Sequence, residues 1–135
     1  MIRYNNKKYS IEEVFSIIPI NYIPKHIAKK KGIARINVDG ALISQYSLRY
    51  ETFRKSLTCA LCGCKASYFR IEAGCQEQAN RNCWHFNLYG LNNRGVEILF
   101  TKDHIFPKSK GGLNELVNLQ TMCARCNFKK GNKIN

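Results

Sequence analysis

Downstream of residue 66 the apolar positions fall in short runs set off by polar loops. "SYFRIEA", "WHFNLYG" and "VEILFTKDHI" gather branched and aromatic residues over strand lengths, and the turn "LNNRG" joins the last two. "LQTM" reads as one more short strand, and "CQEQANRNC" and "PKSKGGLNELVN" read as loops. Trp84, Phe86, Leu88, Ile98 and Phe100 fall inside these runs and are the expected core. Upstream, "ARINVDGALIS" sets two apolar runs around Asp39-Gly40, a hairpin signal because both central positions accept positive φ. A helical period occurs in two places. One is Ser10 to Ile18, where Ser10 and Glu13 form a capping box and Pro19 is the stop. The other is "SLRYETFRKSL", capped by Ser47, with Tyr50, Phe53 and Leu57 on one face. The remainder of residues 1 to 35 reads as basic and irregular. The mixture predicts a small α+β domain at 47–135, preceded by a basic appendage at 1–46 with a short helix and a hairpin.

The apolar run "VFSIIPINYI" is broken by Pro19, well short of the roughly 18 residues a membrane helix needs. Charged residues in "MIRYNNKKYSIEEVF" stand where the apolar region of a secretory leader would be, so the chain is expected to be soluble, intracellular and without a membrane partner. Charge changes the picture further. There are 22 Lys and Arg against nine Asp and Glu, a formal +13 with a pI near 9.6. The bases sit in "NNKKY", "KHIAKKKGIAR", "LRYETFRK", "PKSKGG" and "FKKGNK" with aromatics between them, a pattern that points to nucleic acid, with simple solubility as the plain alternative. His26 lies in such a stretch and is expected at the surface.

Seven cysteines stand in this chain, and a reducing compartment favours metal over disulfides. Cys59-x-x-Cys62 and Cys123-x-x-Cys126 together offer the four sulfurs of a tetrahedral zinc site, with buried free thiols or redox chemistry as the alternatives. Four thiolates leave no open position at that ion, so its role would be structural, and its binding would contribute to folding. Cys64, Cys75 and Cys83, with His85 nearby, are irregularly spaced and are expected to pack or lie exposed rather than hold a second ion.

An Asp-His pair at the end of an apolar strand, Asp103-His104, marks a site rather than packing. "DHIFPKSKGG" followed by "NLQTMCARCN" resembles the HNH endonucleases of the ββα-metal (His-Me finger) fold, in the branch that carries four zinc cysteines. The likeness runs from Cys59 to about Lys133 and would make 47–135 the nuclease domain. It implies a histidine ending the first strand, an asparagine in the loop and a histidine or asparagine on the helix: His104, Asn118 and Asn127, with asparagine in the third place.

The chemistry agrees with those residue types. Phosphodiester hydrolysis needs a nucleophilic water, a Lewis acid on the phosphate and stabilisation of the departing 3′ oxygen. Asp103 and Asn127 offer the hard oxygens that Mg²⁺ or Mn²⁺ takes from a protein, and an imidazole, with an ordinary pKa of about 6.5, suits His104 as general base. Asn118 would tie the loop and keep His104 oriented, while Lys108, Lys110, Lys129, Lys130 and Lys133 would hold phosphates. The resemblance implies a DNA substrate cut to 5′-phosphate and 3′-hydroxyl ends, one strand per site: a monomer nicks, a homodimer can break both strands. The abundance of Asn, Lys and Ile suits an AT-rich phage or mobile element. The rival reading is a zinc-stabilised nucleic-acid-binding module that does not cut.

Overall fold

Residues 1–134 are described by the structure, a computed structural model. The chain divides into two units, Met1–Ser47 with Tyr68–Asn87, and Leu48–Ser67 with Leu88–Asn135. Among the described residues no helix is long and apolar enough to cross a membrane.

The first unit opens with two minimal strands, β1 (Ile2–Arg3) and β2 (Tyr9–Ser10), followed by helices α1 (Ile11–Ile17) and α2 (Lys25–Lys30). Ser10 caps α1 by accepting the Glu13 amide at 3.0 Å, and Ile18, forced extended by the proline after it, ends the helix. Residues 1 to 35 are therefore more ordered than their sequence suggests. The strands are two residues long and α2 buries only Ala28, so neither leaves a hydrophobic period to read. Strands β3 (Arg35–Val38) and β4 (Ala41–Ser44) form the expected hairpin, with Asp39 and Gly40 at φ 53° and 95°. Helix α3 (Leu48–Lys55) belongs to the second unit.

Strand β5 (Tyr68–Ala73) is buried along its whole length and pairs antiparallel with both β1 and β2. Its two charged residues are compensated, as burial requires. Arg70 donates to the carbonyls of Asn6 and Lys7, and Glu72 accepts from Arg3 at 3.2 Å and Asn87 at 2.8 Å. "CQEQANRNC", expected as a loop, contains the short helix α4 (Gln76–Asn80). None of its residues is buried; side-chain pairs such as Glu77 with Arg81 and Gln76 with Asn80 stitch it instead. Edge-to-face contacts link Tyr9, Phe69 and Phe86 in the core.

Strand β6 (His85–Leu91) runs from the first unit into the second, where its latter half pairs with β7 (Glu97–His104) through Tyr89↔Leu99 and Gly90↔Ile98. Asn92 closes the turn between them by accepting the amides of Arg94 and Val96. Further along, β7 pairs with β8 (Leu119–Cys123) from Phe100↔Cys123 to His104↔Leu119, and helix α5 (Ala124–Lys130) follows directly. Tyr50 and Phe53 of α3, with Leu88, Phe100, Leu119 and Met122, are buried in this unit; Ile98 is only half-buried. The long loop 105–118 carries single 3₁₀ turns at Lys108–Lys110 and Leu116–Asn118.

Candidate functional site

Two periodicities bring the polar side chains together. Thr101 and Asp103, two apart on β7, share a face of the strand, and Asn127 and Lys130, three apart, share a face of α5. The Asn127 amide donates to Thr101 Oγ1 at 2.8 Å, which commits its nitrogen to the strand and leaves its oxygen free. Asp103 is buried at 6% exposure. Its carboxylate accepts Gln120 Nε2, directly opposite in the ladder, at 2.9 Å, and pairs with Lys130 Nζ at 3.1 Å. Lys130 Nζ also donates to the His104 carbonyl at 2.8 Å.

That pairing corrects one expectation. Lys130 is not a surface cation waiting for a phosphate; it is 6% exposed and neutralises Asp103. Lys108, Lys110, Lys129 and Lys133 are exposed.

His104 follows Asp103 at the end of β7 and is half-buried. Its Nε2 lies 3.2 Å from Asn114 Oδ1. With that oxygen as acceptor, Nε2 carries the proton, and in the neutral ring the lone pair is on Nδ1. The loop that supplies Asn114 is held by Asn118, whose Oδ1 accepts the Phe106 amide at 2.8 Å while its Nδ2 donates to the carbonyls of Phe106 at 3.2 Å and Leu113 at 2.8 Å. The glycine pair has a steric cause. Gly111 turns left-handed at φ 93°, and a Cβ on Gly112 would collide with the Phe106 carbonyl.

Asp103, His104 and Asn127 line one cavity of about 350 Å³, together with Lys102, Lys108 and Lys130. Lys102 was not singled out from sequence. Burial, and then the positive charges of Arg49 and Lys108, push its amine below the ordinary lysine value. Asn114 and Gln120 were missed as well: Gln120 becomes visible only once the register sets it opposite Asp103, and Asn114 looks like any polar loop residue. The donors fit a divalent ion of the magnesium class, one carboxylate and one amide oxygen beside a roomy cavity. Lys130 and such an ion draw on the same carboxylate lone pairs.

The cysteines form a second cluster. The sulfurs of Cys59, Cys62, Cys64 and Cys123 all lie within 4.8 Å of one another, with Cys62 to Cys64 at 3.3 Å and Cys62 to Cys123 at 3.9 Å. Four sulfurs at about 2.3 Å from a zinc ion stand about 3.8 Å apart in a tetrahedron, so the spacing suits that metal. Cys64, expected to pack or lie exposed, is thus inside the cluster. Cys126, expected as the fourth ligand, is buried beside the thiols of Cys123, Cys62 and Cys59, so five sulfurs contend for four vertices. Burial raises the Cys59 thiol, but the backbone N–H groups of Cys62, Cys123 and Leu61 outweigh it and bring the pKa down to about 6. Burial and the neighbouring thiols push Cys64 and Cys126 up to about 12. Cys75 and Cys83 lie outside this group; Cys83 accepts from Arg35 at 2.8 Å.

No curated protein and no solved structure matches the chain. Residues 96–135, which hold β7, the Asn118-tied loop, β8 and α5, match the family model of HNH endonucleases.

Proposed function

We propose that this chain is a metal-dependent DNA endonuclease whose β7, β8 and α5 form a ββα-metal nuclease centre. The family of residues 96–135 is one of nucleases, and its substrate is nucleic acid. The observation that carries the finer reading is the convergence of a histidine, a carboxylate and an amide oxygen on one cavity rimmed by lysines. His104 takes a proton from a water at Nδ1 as the water oxygen attacks phosphorus. The bond from phosphorus to the 3′ oxygen breaks, that oxygen takes a proton from a solvent water, His104 returns its own proton to solvent, and the 5′-phosphate and 3′-hydroxyl ends separate. Asp103 and Asn127 would hold a divalent ion there, and when bound it would supply positive charge to the phosphate and the departing oxygen. Asn114 keeps the proton on Nε2, Asn118 fixes the loop that carries Asn114, and Lys108 and Lys110 attract the phosphates. The cysteine cluster would hold a structural zinc ion, which would fix the start of α5 and with it the position of Asn127.

One observation favours the rival, a zinc-stabilised module that binds nucleic acid without cutting: Lys130 already balances the Asp103 charge. Nicking of supercoiled plasmid separates the two. Wild-type protein is expected to nick in Mg²⁺ or Mn²⁺ and to stop in EDTA, and His104→Ala is expected to lose nicking by at least about 100-fold while retaining its zinc and its fold. Undiminished nicking by purified His104→Ala protein would sink the assignment.

A further inference from the structure

Helix α5 presents three sides. At about 100° per residue, Asn127 and Lys130 turn toward β7, where they bond Thr101 and Asp103. Arg125 and Lys129, four apart, project into solvent. Phe128 lies on the arc between the Asn127 side and the Arg125–Lys129 side, and it is 89% exposed, more than any other large hydrophobic residue described. A helix with its side chains is about 10–12 Å across, the span of about three nucleotides along one strand. A strand whose phosphates meet the Asp103–Asn127 cavity on one side and Arg125 and Lys129 on the other therefore passes its bases over the Phe128 ring.

We propose that Phe128 is a base-stacking side chain that gives this chain a preference for DNA with an unpaired base beside the scissile phosphate. The inference rests on the nuclease reading for its substrate and deepens it. Charge selects the occupant, since the two exposed cations on the side of the ring away from Asn127 suit a polyanion and oppose a second copy of the same basic surface. Magnitude selects the form of DNA. Stacking a base on an aromatic ring is worth about 5- to 150-fold in affinity. Inside an intact duplex both faces of the base are already covered, and opening a step costs a comparable amount. The gain is realised where the base is already free.

The test uses the full chain and two short duplexes of the same sequence, one fully paired and one with a single unpaired 2-aminopurine, in the absence of added magnesium so that no strand is cut. The wild type is expected to bind the duplex with the unpaired base about 5- to 150-fold more tightly and to quench the fluorophore. Phe128→Ala should lose both the preference and the quench while its affinity for paired DNA stays the same, and Phe128→Trp should keep both. Should the alanine variant misfold, Phe128→Leu against Phe128→Trp decides the matter, with quenching kept only by the ring. An unchanged preference in Phe128→Ala overturns the proposal, as does a change confined to the molar mass by light scattering, which would make the ring a contact between copies. Loss of quenching in a protein that nicks nothing leaves stacking standing and the nuclease reading fallen; nicking with no effect at Phe128 does the reverse.

Discussion

Replacing Lys130 by methionine tests whether the Asp103 carboxylate is a place for a cation. In the folded chain the ammonium is shared between Asp103, at 3.1 Å and 3.3 Å to its two oxygens, and the His104 carbonyl at 2.8 Å, with the two side chains only 4% and 7% exposed. Methionine fills similar space without charge and leaves Asp103 with the Gln120 amide as its donor. Breaking a buried pair from one side costs about 3–5 kcal/mol. The remaining Gln120 bond places this site at the lower end, about 3 kcal/mol. At about 2–4 °C per kcal/mol, the melting temperature in EDTA should fall by about 6–12 °C. Magnesium in large excess should return most of that loss, because an ion at 100 times its dissociation constant stabilises by about 2.7 kcal/mol, and in this variant it meets no competing ammonium. The assay is thermal unfolding of wild type and Lys130→Met, each with EDTA-treated buffer and with magnesium. A variant that melts with the wild type in EDTA would refute the buried pair. A magnesium shift no larger in the variant than in the wild type would refute Asp103 as an ion ligand.

Other outcomes follow from the same geometry. Since five sulfurs stand near four vertices, Cys64→Ser and Cys126→Ser should each retain one zinc per chain by elemental analysis, and the double variant should lose it; metal loss in either single variant would mark that cysteine as indispensable. Cys123→Ser leaves four sulfurs as well and should keep the ion, but should melt earlier, since Cys123 is the residue from which α5 starts; an unchanged melting curve would refute that role. Asn114→Ala should lower kcat about fivefold, the equivalent of about 1 kcal/mol for one exposed hydrogen bond, with KM unchanged; an equal rise in KM would mean that Asn114 binds substrate rather than orienting His104. In the first unit, Asp39 is held below its ordinary value by the Tyr9 hydroxyl and then Lys7, while burial and the Asp39 bond push Tyr9 up to about 12. A depressed carboxylate pKa contributes stability above the unfolded value of about 3.9 that is lost as pH falls through the folded value. Tyr9→Phe should therefore raise the Asp39 midpoint in a carboxyl NMR titration and flatten the acid limb of stability.

The strands of the second unit and the hairpin were legible because their apolar runs are bounded by turn residues whose backbone geometry is readable, Asp39-Gly40 above all. Asp103, His104, Asn118 and Asn127 were picked out through the resemblance of "DHIFPKSKGG" and "NLQTMCARCN" to the HNH pattern, and Asp103, His104 and Asn127 line one cavity. Three things were not legible. Helices α2 and α4 bury almost nothing, so no periodic signal exists to find. Lys130 has the look of a basic tail in sequence, and only the phase of α5 against β7 turns it inward to Asp103. Cys64 stands next but one to Cys62, yet Gly63, left-handed at φ 79°, bends the chain so that both sulfurs meet at 3.3 Å.

The amide of Asn118 uses three hydrogen bonds to fasten Phe106 to Leu113, and Gly112 lies so close to the Phe106 carbonyl that no side chain fits between them. The segment so enclosed is locked in length: adding or deleting one residue would misalign every one of those bonds at once. Lys108, Ser109 and Lys110 are exposed, and their side chains take no part in those three bonds. Descendants of this sequence are thus free to retune what the rim touches by exchanging side chains, while growth or shrinkage of the ring itself is closed to them.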